Sequence, residues 1–143
     1  MKVVVNKCYG GFRLSMKAQK RLAELNGTTI FFYKQKKYKH RDGINEYERE
    51  DDLNSNTKCV NCVIEDLGKI ISEITLIENG YFRDYGDNER HSPFLIKVIE
   101  ELGDEANGYS ADLQIIEIPD GVDYQIEGEN GFEYISEKHR TWD

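Results

Sequence analysis

Apolar and polar positions change period several times along the chain, and each change marks an element. Residues 2–7 (KVVVNK) form a short β-branched run that predicts a strand. The segment Cys8-Tyr9-Gly10-Gly11-Phe12 breaks it, because two adjacent glycines reach dihedrals that other residues resist, and it reads as a turn. Ser15 then stands as an N-cap for a helix over 16–26, with Ala18, Leu22, Ala23 and Leu25 on its apolar face and Gly27 as its stop. Residues 28–38 (TTIFFYKQKKY) are β-branched and aromatic, then alternating, and predict a second strand. The polar, acidic stretch 41–56 carries an Asp42-Gly43 turn and reads as an exposed loop or a frayed strand pair. A weakly alternating run, 58–64 (KCVNCVI), predicts a strand, and Asp66-Leu67-Gly68 a turn. Over 69–77, Ile70, Ile71, Ile74 and Ile77 fit a helical stripe better than alternation.

Residues 79–91 (NGYFRDYGDNERH) are an aromatic, charged loop. Ser92-Pro93 opens a helix, since Ser caps and Pro at the first helical position lacks an N–H that would be unbonded anyway. Phe94, Leu95, Val98, Ile99 and Leu102 form its apolar face, and Gly103 ends it. A strand over 112–118 stops at Pro119, and the runs 124–127 and 132–136 flank Gly128–Gly131 as a hairpin. Mixed strands and helices with hairpin turns predict an α+β fold: one compact domain over 1–143, with an antiparallel or mixed sheet and two to three helices.

Composition narrows the class. The chain has 143 residues, 38% hydrophobic and 32% charged, an apolar share low for a globular protein. Nine Tyr and six Phe nevertheless argue against disorder. No run approaches the roughly 18 apolar residues of a membrane span, and the N-terminus lacks the apolar stretch of a signal peptide, so a cytoplasmic protein without membrane contact is expected. Of 19 Lys and Arg, residues 1–41 hold eleven against one acid, Glu24; residues 42–143 hold the other eight against 26 acids. The balance is thus +10 followed by −18. Either a basic site for a phosphate-bearing ligand sits in an acidic body, or the two parts neutralise each other. General nucleic-acid binding is disfavoured by the net charge of −8.

The candidate chemistry is that of binding. Cys59-x-x-Cys62 lacks a second pair, and only Cys8 and the scattered His40, His91 and His139 could complete a metal site, so buried cysteines without metal are expected. Gly10-Gly11 precedes a helix but matches neither dinucleotide-binding nor P-loop spacing; what remains is a turn of backbone N–H groups suited to an anion, flanked by Tyr9 and Phe12, or else a tight turn with its aromatics in the core. Phe82, Arg83 and Arg90 put an aromatic ring and two guanidinium groups within nine residues, with Ser92 at a helix N-terminus. Those groups suit a nucleobase and its phosphates; the alternative is a surface loop anchored by its aromatics. His139, Arg140 and Trp142 suggest a C-terminus that docks onto something. No nucleophile with an orienting base stands out, and neither an enzyme nor a cofactor is required.

Further pieces are Val4, Asn6 and Leu14-Ser15 around the Tyr9–Phe12 turn, Arg90-His91-Ser92-Pro93, and 98–103 (VIEELG). Then come Ala106-Asn107-Gly108, Glu117-Ile118-Pro119-Asp120 and the ending 137–142 (EKHRTW). Together the chain resembles the first Thoeris anti-defence family, small phage and prophage proteins that sequester cyclic ADP-ribose signals. The likeness spans both ends, with a gap over 28–80. It implies a non-enzymatic protein that binds a cyclic ADP-ribose isomer, or a related cyclic nucleotide, without cleaving it. The downstream immune effector of the host bacterium is then never activated. It also implies a homo-oligomer, dimer or hexamer, with ligand sites near subunit interfaces. By position, Phe82 is expected at the adenine and Ser92 at a polar contact, although the family favours Asn or Asp where this chain has His91-Ser92. Asn107 and the Tyr9–Phe12 turn are further expected contacts. Two other readings stay open: a phage protein that blocks a host protein through an acidic surface, and a small nucleotide-processing enzyme.

Overall fold

The computed structural model describes residues 1–36, 45–54, 61–80 and 89–138. In chain order its elements are β1 (Lys2–Asn6), α1 (Met16–Leu25), β2 (Phe31–Gln35), β3 (Glu46–Glu50), β4 (Asn61–Val63), β5 (Ile70–Ser72), α2 (Glu73–Asn79), α3 (Pro93–Leu102), a 3₁₀ turn (Gly103–Ala106), β6 (Leu113–Glu117), β7 (Tyr124–Glu129) and β8 (Phe132–Glu137). The fold is α+β, as the order of elements predicts. Three small sheets, β1-β6, β4-β2-β3-β5 and β7-β8, are antiparallel throughout the described strands. Backbone proximity divides the chain into two compact units, Met1–Leu22 with Asp84–Asp143, and Ala23–Arg83, the division falling inside α1.

In the first unit β1 is the centre. Val3, Val4 and Val5 are all fully buried, so the run does not alternate; it is covered on both faces. Helix α3 packs on β1 and β6 and buries Leu95, Ile96, Val98 and Ile99. Phe94, expected on that face, is exposed, and Ile96 lies inside in its place. Ser15 caps α1 as its position predicts: its hydroxyl accepts from Ala18 N–H at 3.2 Å and its carbonyl from Gln19 N–H at 2.9 Å. Salt bridges run from Lys2 to Glu100 (2.7 Å), Lys17 to Glu105 (3.4 Å) and Arg21 to Glu101 (3.0 Å).

In the second unit β2 and β3 are the inner strands of the four-stranded sheet. The stretch read as a loop or frayed strand pair therefore supplies an inner strand. Its alternating charges find partners across the register, where Lys34 faces Glu48 and Gln35 faces Tyr47. Lys34 pairs with Glu48 (3.7 Å) and Glu50, and Lys36 with Glu46 (3.4 Å). These pairs, with those of the first unit, show basic side chains of the early chain neutralised by later acids. The buried cluster is Tyr33, Val63, Ile71 and Leu76, with Phe31, Tyr47 and Leu67 against it. The Tyr33 hydroxyl donates to the Gly68 carbonyl (2.7 Å) and accepts from Leu67 N–H (3.1 Å).

The helical stripe expected over 69–77 is divided. Ile70 and Ile71 lie on β5, because Ser72 caps a helix that starts only at Glu73; its hydroxyl accepts from Thr75 N–H at 3.2 Å. Leu76 is the buried residue of α2, while Ile70, Ile74 and Ile77 are exposed. The isoleucines thus belong to two elements and do not share one buried face.

Candidate functional site

The site grows from an edge that β1 leaves open. In an antiparallel pair, alternate residues turn their N–H and C=O toward the partner strand. Met1 and Ile118 exchange N–H···O bonds on the β6 side of β1, and Lys7 N–H donates to Asp112 C=O at 2.7 Å. Val4 and Asn6 therefore face away from β6. Their backbone groups must be bonded elsewhere, because an unpaired buried amide is costly. Arg90 and Glu133 supply the bonds. Val4 N–H donates to the Arg90 carbonyl at 2.8 Å, Arg90 Nη1 donates to the Val4 carbonyl at 3.4 Å, and Asn6 N–H donates to Glu133 Oε1 at 2.8 Å.

Arg90 and Glu133 also hold each other in a bidentate fork, Nη1–Oε1 2.6 Å and Nη2–Oε2 2.8 Å. Arg90 is only 7% exposed. The Phe12 ring lies against its guanidinium, 3.8 Å from centroid to Cζ. The buried Asn6 side chain completes the hub. Its Nδ2 donates to the carbonyls of Cys8 (2.8 Å) and Gly131 (2.7 Å), and its Oδ1 accepts from Asp112 N–H (2.9 Å). One residue thus ties together the turn after β1, the tip of the β7-β8 hairpin and the segment entering β6.

The turn itself is held tightly. Gly10 N–H donates to the Asn130 carbonyl at 3.0 Å. A Cβ on Gly131 would come within 2.7 Å of Gly11 Cα, and one on Gly10 within 2.8 Å of Ser110 Cβ. Both glycines have positive φ, +152° at Gly10 and +90° at Gly131. Tyr9 projects from this turn 69% exposed, its ring tilted 33° against Phe132 at 5.4 Å. Lys7 Nζ lies 5.2 Å from the Phe132 centroid and donates to the Glu133 carbonyl at 2.9 Å.

The sequence-predicted residues divide as follows. Tyr9, Gly10, Gly11, Phe12 and Arg90 come together at this end of the first unit. The Asn107 Oδ1 accepts from Leu113 N–H at 2.8 Å and its backbone bridges Leu14. Ser92 is half-buried at the N-cap of α3, where its carbonyl accepts from Ile96 N–H at 3.0 Å and its hydroxyl makes no capping bond. Beside it, His91 Nδ1 lies 2.6 Å from the Tyr124 hydroxyl. Phe82 and Arg83 lie outside the described residues, as do Cys59, His40 and the cluster His139, Arg140 and Trp142. Arg90 is placed with its guanidinium engaged by Glu133 rather than open to solvent. Sequence reasoning missed Glu133, Lys7 and Phe132, and named Asn6 only among the residues of the resemblance. The one local signal was Asn6, a polar residue closing an otherwise apolar buried run.

Cys62 sits on β4 opposite Phe32, and burial pushes its thiol up to about 11, which keeps it protonated at neutral pH. Among the described residues no group of three His, Cys, Asp or Glu could hold a metal, and no helix is long and apolar enough to cross a membrane. Comparison of the chain with protein-family models, with curated proteins and with solved structures gives no match.

Proposed function

We propose that this chain binds a cyclic ADP-ribose isomer or a related cyclic nucleotide and retains it uncleaved, acting as an anti-defence protein that keeps the messenger from a host immune effector. Beside the family resemblance, the observation that supports this reading is the gathering of Tyr9 and Lys7 around the Phe132 ring in the first unit. Aromatic faces beside cations are what a base joined to a pyrophosphate requires. In this reading the protein works in the bacterial cytoplasm as a homo-oligomer and needs no cofactor. Retention without turnover asks for a site that fits the ground state of the ligand and brings no nucleophile to its bonds.

The test is a melting-shift screen against cyclic ADP-ribose isomers and cyclic di- and trinucleotides, followed by recovery of the ligand after heat denaturation. A ligand at 100 times its Kd that binds only the folded chain adds about 2.7 kcal/mol, so a shift of several degrees is expected. The ligand should return intact. A hydrolysed product would replace this reading with an enzyme. A flat screen together with a co-purifying host protein would replace it with direct inhibition of that protein.

A further inference from the structure

Three loops of the first unit meet at one place: the turn at 8–11, the turn at 108–111 and the hairpin tip at 129–132. Gly10 abuts Ser110 on one side, and Gly11 abuts Gly131 on the other. Asn6 is bonded to the first and last of these loops from beneath. Tyr9 therefore stands on a backbone with little freedom to relax, yet most of its ring is in water. A rigid, exposed aromatic loses little entropy on binding, which is the condition for a stacking platform. Phe132 supports one face of it. The cation over the Phe132 ring is Lys7, 5.2 Å from its centroid. Its ammonium donates to a neutral carbonyl, that of Glu133, while the Glu133 carboxylate is matched by Arg90, so among the described residues no carboxylate neutralises the Lys7 charge.

We infer that the Tyr9 face, with Lys7 on the same Phe132 ring, is a subsite that stacks the ligand's purine base and neutralises the adjoining phosphate. Arg90 and Glu133 act as positioning residues beneath it. The inference takes its ligand class from the sequestration reading above and adds a place and a division of labour: stacking on Tyr9, charge on Lys7, fixed geometry from Arg90, Glu133 and Asn6. Replacing Tyr9 removes a surface ring and no buried contact of the Asn6 hub, so the fold should survive it.

The experiment is calorimetric titration of the full chain with cyclic ADP-ribose isomers, AMP and adenosine, using wild type, Tyr9→Ala and Lys7→Met. Stacking on one aromatic predicts at least about a fivefold rise in Kd for Tyr9→Ala, with the apo melting temperature unchanged. For Lys7→Met, AMP should lose its advantage over adenosine, and the salt dependence of AMP binding should flatten. Cyclic ADP-ribose that binds wild type and Tyr9→Ala equally overturns this subsite and leaves the sequestration reading standing. Binding of AMP but of no cyclic isomer, lost in Tyr9→Ala, supports the subsite and overturns sequestration of cyclic ADP-ribose. A wild type that binds none of these ligands overturns both.

Discussion

The two units use opposite charges in different surroundings. In the first, the Arg90–Glu133 fork is nearly dry, with side chains 8% and 15% exposed, and it bonds backbone groups of β1 as well as itself. In the second, Lys36 and Glu46 meet at 3.4 Å with side chains 15% and 29% exposed, and their backbones are joined by a Lys36 N–H to Glu46 carbonyl bond of 3.0 Å. In the first case, losing one partner strands a buried charge and uncovers β1. In the second, losing Lys36 leaves behind Glu46, whose side chain keeps more contact with water than that of Glu133. The same pair of charge types therefore bonds an open strand edge in one unit and links two neighbouring strands in the other.

The comparison can be broken in order of effect. Arg90→Ala should cost about 3–5 kcal/mol, because it leaves Glu133 buried and unpaired and the Val4 carbonyl without its guanidinium donor. Urea unfolding followed by circular dichroism measures this, and a loss below 1 kcal/mol would mean that the fork is not a determinant of the fold. Lys36→Met should cost less than Arg90→Ala in the same assay, because the Glu46 side chain it leaves behind is 29% exposed against 15% for Glu133. A loss as large as that of Arg90→Ala would erase the distinction between the units.

The smallest effect is that of acid on the exposed carboxylates. A backbone N–H from Gly68 and the Arg49 guanidinium hold Asp66 below its usual 3.8, and Arg21 holds Glu101 below its usual 4.5. A carboxylate lowered on folding contributes stability that is fully present above its unfolded value and is lost as pH falls through the folded one. The melting temperature should therefore stay level from pH 7 to about 5 and decline below about 4, with the decline softened by salt. A curve that is flat down to pH 3 would show that these pairs contribute nothing to folding.

Much of the local structure was legible before any fold was known. Ser15 and Gly27 bracket α1, and Ser92-Pro93 and Gly103 bracket α3, because capping and φ preferences are properties of a few adjacent residues. The hairpin around 128–131 was legible for the same reason. The isoleucines at 70–77 were misassigned because the period of a short run does not reveal that Ser72 starts a new element in its middle. The acidic stretch 46–50 was not recognised as an inner strand because its cross-strand partners, on β2 and β5, are distant in sequence.

For the candidate site the division is sharper. The sequence alone determined that an aromatic glycine turn follows β1 and that Arg90 precedes a helix, since both are statements about neighbours in the chain. That Arg90 forks onto Glu133, that Phe132 lies against Tyr9 and that Asn6 ties three loops together was decided only by tertiary structure. The open edge of β1 must bond its amides to something, and which residues reach that edge depends on how β8 and the start of α3 fold back toward it.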